Sequence, residues 1–123
     1  MILATAQDAE RLFGPRFAES RREMLVIAYL QDKQRLAEFI LVAGSPETVE
    51  LPLRRIFADA LRLDALGLIL AHNHPSGDPQ PSREDIEATR ILAATADRLG
   101  IRLVDHLIFA GARIGSMRGL GLL

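Results

Sequence analysis

Leu66-Gly67-Leu68-Ile69-Leu70-Ala71-His72-Asn73-His74-Pro75-Ser76-Gly77-Asp78-Pro79-Gln80-Pro81-Ser82-Arg83-Glu84-Asp85 is the stretch on which the reading of this chain turns. It opens on an unbroken apolar run, residues 66–71, the pattern of a strand buried on both faces. Residues 72–81, HNHPSGDPQP, hold three prolines and a glycine, too broken for the interior of a helix or sheet. They read as a loop leaving the end of the buried strand. Ser82 then opens a helix to about Leu99, closed by Gly100, with Ile86, Thr89, Ile91, Leu92 and Ala96 at inward or flanking positions.

Upstream, Ala9, Leu12, Phe13 and Phe17 recur at helical spacing within residues 5–18, with Thr5 or Asp8 as cap and Gly14-Pro15 as an expected interruption. Residues 24–30 and 36–43 are apolar runs around the polar QDKQ, a hairpin signal. A turn at residues 45–48, a short strand at 49–51 and a helix at 53–63 follow, with Ile56, Phe57, Ala60 and Leu61 directed inward. Downstream of the long helix, residues 101–110 read as a strand, Gly111 as a turn and residues 114–117 as a last strand. The fold class expected is α/β, a mixed sheet flanked by helices, in one domain spanning residues 1–123 with an N-terminal helix inside residues 1–20.

Composition bounds the function. The 123 residues are 49% hydrophobic and 25% charged, enough for one real core. A formal net charge of -1 gives no support for a sequence-independent grip on nucleic acid. With no cysteine, a thiolate metal site and a thiol nucleophile are excluded, and any metal must be held by imidazole and carboxylate. The first residues lack a basic start followed by a long apolar stretch, and no apolar run is long enough to span a bilayer, so a cytoplasmic location is expected.

His72 and His74 stand one residue apart beyond the buried strand, where extended geometry points both side chains the same way. Asp85 falls in the first turn of the following helix. Three N/O ligands that leave a fourth position to water are the usual plan of a catalytic zinc site. Each piece also has a structural reading: Ser82-Arg83-Glu84-Asp85 fits a capping box, and histidines often finish strands as hydrogen-bonded polar residues. The combination favours metal.

The segment HNHPSGDPQPSREDIEATRIL, followed by LGIRLVDHLIF, closely resembles the signature of RadC-like proteins, a branch of the JAB/MPN or JAMM metallopeptidase superfamily. The pattern His-x-His-Pro, Ser, two residues, Asp matches His72, His74, Pro75, Ser82 and Asp85. The resemblance covers about Arg22 to the C-terminus and implies a fold similar to that of the cytidine deaminases. It also implies a Zn2+ cofactor held by His72, His74 and Asp85. A glutamate that exchanges protons with the attacking water is expected at Glu23, at the start of the strand after the first helix, with Glu38 as its competitor. Ser82 takes the oxyanion-stabilising place. His106, beside Asp105, is expected to be a structural histidine hydrogen-bonded inside the fold, with contact to the metal loop as the alternative.

The function implied is zinc-dependent hydrolysis of an amide bond in a peptide or protein substrate, as a metallopeptidase or isopeptidase. Two alternatives stand beside it: a RadC-like, DNA-repair- or nucleic-acid-associated accessory module, and a metal-stabilised interaction domain without turnover. The single N-terminal helix is not expected to hold the helix-hairpin-helix region that many RadC-like proteins carry, so tight nucleic-acid binding is not expected, nor is a membrane partner. A homodimer is a candidate assembly. Cytidine deamination is disfavoured because its His-x-Glu and Pro-Cys-x-x-Cys elements are absent.

Overall fold

A computed structural model describes residues 1–18, 20–42 and 51–123. The elements run α1 (Ala6–Phe17), β1 (Leu25–Leu30), β2 (Leu36–Val42), α2 (Leu53–Arg62), β3 (Gly67–Asn73), α3 (Arg83–Arg98), β4 (Arg102–Ala110) and β5 (Arg113–Ser116). The strands form one sheet in the order β2-β1-β3-β4-β5. β1 is antiparallel to β2 and β3, β3 is parallel to β4, and β4 is antiparallel to β5. This is the mixed sheet expected from the sequence. The expected turn at residues 45–48, and residues 43, 49 and 50 of the expected strands, lie outside the described residues; Leu51 is not in a strand.

Alternation along β1 divides the core in two. Leu25, Ile27 and Tyr29 face α2 and α3, packing with Ile56, Ala60, Leu68, Leu70, Leu92 and Ala96. Val26, Ala28 and Leu30 face α1, with Phe13, Phe17, Ile69, Ala71 and Phe109. Helices therefore cover both faces of the sheet, and β3 is buried along its whole length, as its apolar run requires.

Several details differ from the sequence reading. α1 runs through Gly14-Pro15 to Phe17 without a break. The backbone bond that Pro15 cannot donate is lost in the final turn, where the helix is ending, while Phe13 and Phe17, four residues apart, stay on one buried face against Phe109. β3 extends through His72 and Asn73, which continue its pairing with Leu25 of β1 and with Ile108 and Phe109 of β4, so the loop begins at His74. Leu61 is 58% exposed rather than inward, because the buried face of α2 centres on Ile56 and Ala60 and leaves Leu61 on its rim. Ile91 is likewise exposed, next to fully buried Leu92.

β3 and β4 are out of simple step at one point. Leu68 pairs with Leu103 but Ile69 pairs with Asp105, which leaves Val104 as an extra residue on β4. An inserted residue reverses the facing of everything after it. Leu103 faces α2 and α3, and past the bulge Leu107 and Phe109 face α1. His106 thereby alternates onto the α3 face.

α3 carries a ligand candidate and depends on its apolar seam, so truncation there tests the fold. Leu92→Ala should lower unfolding free energy by about 2–5 kcal/mol in urea titration, whereas Ile91→Ala should stay within about 0.5 kcal/mol of wild type. Equal losses in the two variants would contradict the packing described.

Candidate metal centre

The pairing of β1 with β3 assembles most of the site before any loop is considered. Leu25 pairs with His72, so the antiparallel register carried two residues further sets Glu23 opposite His74. Glu23 also shares the face of Leu25, Ile27 and Tyr29 by alternation. Accordingly Glu23 Oε1 lies 3.6 Å from His74 Nε2. Asn73, buried on the opposite face, fastens this edge: its Oδ1 accepts from Met24 N–H at 2.7 Å and its Nδ2 donates to Arg22 C=O at 2.9 Å. The amide thus grips the residues on either side of Glu23.

The loop after β3 is held from two sides. His74 N–H donates to Phe109 C=O at 2.9 Å. Gly115 of β5 passes so close beneath Pro79 that a Cβ there would stand 2.7 Å from the Pro79 carbonyl oxygen, which is why this position is a glycine. His74 Nδ1 donates to the Asp78 carbonyl at 2.8 Å, which leaves Nε2 with its lone pair as the atom facing the site.

Asp85 satisfies both readings of its position at once. Ser82 Oγ accepts from Asp85 N–H at 3.0 Å, and Asp85 Oδ2 accepts from Ser82 N–H at 2.9 Å, a complete capping box. The same Oδ2 lies 3.6 Å from His72 Nε2 and 3.4 Å from His74 Nε2. Burial alone would raise the Asp85 carboxyl, but contact with the His72 ring and the Ser82 backbone N–H outweigh it and hold the group well below the usual carboxylate range.

His72 Nε2 and His74 Nε2 are 2.9 Å apart. With Asp85 Oδ2 they form a triangle whose sides bracket the roughly 3.3 Å edge of a tetrahedron with metal–ligand bonds of about 2.0–2.1 Å. Donor atoms of Glu23, His72 and His74 also lie within 4.8 Å of one another, so the residues present can hold a metal ion. Two carboxylates therefore adjoin the same histidine pair. Side-chain exposure grades across them: 2% for His72 and for Asp85, 15% for His74 and 26% for Glu23. Solvent reaches the cluster from the Glu23 and His74 side. Next to His74 a cleft of about 310 Å³ opens between the end of α1 and the β4–β5 turn, with Phe17, Asn73, Pro75, Phe109 and Ile114 in its wall.

Glu38 is elsewhere. It pairs with Tyr29, four residues along β1 from Leu25, and its carboxylate takes a hydrogen bond from Arg62 of α2 at 3.2 Å. Of the two candidate glutamates, the fold brings only Glu23 to the histidines. Behind them, His106 Nε2 lies 2.6 Å from His72 Nδ1, and His106 Nδ1 lies 2.8 Å from Thr89 Oγ1. Complete burial, with the His72 ring beside it, pushes the His106 imidazole down to about 3, so it is uncharged at neutral pH. It is hydrogen-bonded inside the fold, as expected, and one of its two ring partners is the candidate ligand His72, at the end of β3. From sequence Thr89 reads only as an inward or flanking helix position, and Asn73 only as one residue of the loop.

The family model for the RadC-like JAB domain matches residues 3–122. The chain belongs to that family. Among curated relatives, UPF0758 protein GSU0386 of Geobacter sulfurreducens is 42% identical over 108 residues, 87% of this chain and 47% of that protein. A UPF0758 protein of Aquifex aeolicus is 41% identical over 118 residues, 95% of this chain and 51% of the relative. One from Methanosarcina acetivorans is 37% identical over 120 residues, 97% and 52% of the two chains. This RadC-like JAB chain spans about half the length of the curated relatives it matches. Among its described residues, no helix is long and apolar enough to cross a membrane.

Two variants separate the cap from the candidate metal cluster. Ser82→Ala should cost about 0.5–2 kcal/mol of stability by thermal melting, through the lost helix cap. His72→Ala combined with His74→Ala should abolish tight metal uptake in elemental analysis of dialysed protein. Equal metal content in wild type and the double variant would refute the cluster as a metal centre.

Proposed function

We propose that this RadC-like JAB domain is a zinc-dependent hydrolase acting on amide bonds of a peptide or protein, with His72, His74 and Asp85 as ligands and Glu23 as the proton-transfer group. The observation that carries this reading is the convergence of two imidazole Nε2 atoms and a buried carboxylate oxygen within 2.9–3.6 Å, beside a second, solvent-facing carboxylate. Zinc is favoured over harder cations because imidazole supplies two of the three ligands. Asp85 is favoured over Glu23 as the third ligand because its Oδ2 is close to both histidines and is locked by the capping box, whereas Glu23 lies on the side from which water arrives.

Zinc bound there would supply Lewis acidity, lowering the pKa of a water toward ~7 and polarising a carbonyl. The remaining work belongs to the chain's own groups. Glu23 accepts the proton of the attacking water and delivers it to the departing amine, so that the leaving group departs neutral. Ser82 accepts a backbone N–H with its oxygen, which leaves its hydroxyl hydrogen free to donate to the oxyanion that develops on the scissile carbonyl.

Glu23→Gln distinguishes turnover from metal binding. The amide keeps the shape of the side chain but cannot take the proton, so the variant should retain zinc and its melting temperature while peptide cleavage falls by about 10²–10⁴-fold. Glu38→Gln should cleave as wild type does. Loss of zinc in Glu23→Gln would reassign Glu23 as a ligand. A zinc-loaded wild type inert towards a broad peptide and isopeptide library would replace the hydrolase reading with that of a metal-stabilised interaction domain.

A further inference from the structure

The hydrogen bonds behind His72 run in one direction, set by a group that can only accept. Thr89 Oγ1 lies 2.6 Å from the Asp85 backbone carbonyl. A threonine hydroxyl has a single hydrogen, and a carbonyl oxygen has none to give, so that hydrogen points to Asp85. Towards His106 Nδ1, 2.8 Å away, Thr89 Oγ1 can then only accept. Fully buried, with no carboxylate bonded to its ring, His106 keeps a single ring hydrogen, which must sit on Nδ1 and leave Nε2 as an acceptor. His72 Nδ1, 2.6 Å from that Nε2, is left as the donor. The outcome reaches the site: in a singly protonated His72 the ring hydrogen sits on Nδ1, which leaves bare the Nε2 that faces His74 Nε2 and Asp85 Oδ2.

We propose that Thr89 and His106 are positioning residues that hold His72 in the Nδ1–H tautomer, so that its Nε2 lone pair is offered to a metal ion shared with His74 and Asp85. This rests on the metal-centre reading given above. The relay is anchored at both ends of the ligand set, because the carbonyl that fixes its direction belongs to Asp85 itself, one turn before Thr89 on α3. His106, Thr89 and His72 are all buried, so no solvent competes for these bonds. The Val104 bulge supplies the remaining requirement, since without that extra residue His106 would alternate to the α1 face. His74 reaches the same state separately, through the Asp78 carbonyl.

The test compares wild type with Thr89→Val, which keeps the branched shape but has no oxygen to accept, and Thr89→Ser, which restores the hydroxyl; His72→Ala is the binding-dead control. Two readouts are taken well below each melting transition: ring-nitrogen NMR shifts of the metal-free protein, and Zn2+ affinity by competition with a chromophoric chelator. We expect wild-type His72 and His106 both to show Nδ1–H. Thr89→Val should bind Zn2+ about 10–100-fold more weakly and Thr89→Ser within about threefold of wild type, because groups behind metal-bound histidines typically contribute on that scale. A merely structural role would lower the melting temperature of Thr89→Val and leave the affinity of the folded protein unchanged; that result overturns the proposal. So does a wild-type His72 carrying Nε2–H, a readout that stands even if Thr89→Val does not fold. Wild-type protein with Nδ1–H at His72 that takes up no Zn2+ overturns the metal reading itself, and is distinguishable from failure of the relay, which shows in the ring nitrogens.

Discussion

Backbone pairing on both sides of β3 is the constraint from which the site follows. β3 lies between β1, antiparallel, and β4, parallel, and is buried throughout, so its register is pinned by two ladders and by the pattern of side chains on each face. A slip of one residue against β1 would send His72 towards α1 and bring Asn73 to the α3 face. With the register as it stands, Leu25 opposite His72 places Glu23 beside His74, and Asn73 turns to the other side, where it clamps the chain around Glu23.

The second determinant is the economy of Asp85. A first-turn carboxylate is favoured at a helix N-terminus whether or not a metal is present, and the reciprocal bonds with Ser82 fix its rotamer. Fixing the rotamer also aims Oδ2 at two imidazoles, so that a metal bound there would find this oxygen already ordered. Ser82 accordingly carries a structural load in addition to its proposed role at the oxyanion, and the two are separable because one uses the oxygen's lone pair and the other its hydrogen.

Much of this was legible in the residues. The apolar run before His72, the prolines after it and the Ser82 start of α3 specify strand, loop and helix locally, and each is locally consistent with the fold. The His72, His74 and Asp85 cluster was legible for the same reason: two positions along an extended chain and one helix cap are short-range facts. What was not legible is long-range. Whether Glu23 or Glu38 meets the histidines depends on which end of β1 abuts the end of β3, and Arg62 reaches Glu38 only after α2 has packed. The Val104 bulge leaves no mark in an alternation of apolar residues, yet it decides which face His106 takes. Thr89 read as an ordinary inward position on α3, since a buried threonine and a small apolar residue fit the same helical pattern. Pro15 read as a break because its position relative to the end of α1 was not fixed by the sequence.

On the reading proposed, His72 Nε2, His74 Nε2 and Asp85 Oδ2 share one ion. Anomalous diffraction at the zinc absorption edge from crystals of the protein grown with one equivalent of Zn2+ tests it most directly. One strong peak is expected at about 2.0–2.2 Å from each of those three atoms, with Glu23 outside bonding distance. A peak bonded to Glu23 in place of Asp85, or no peak at the histidine pair, would contradict it.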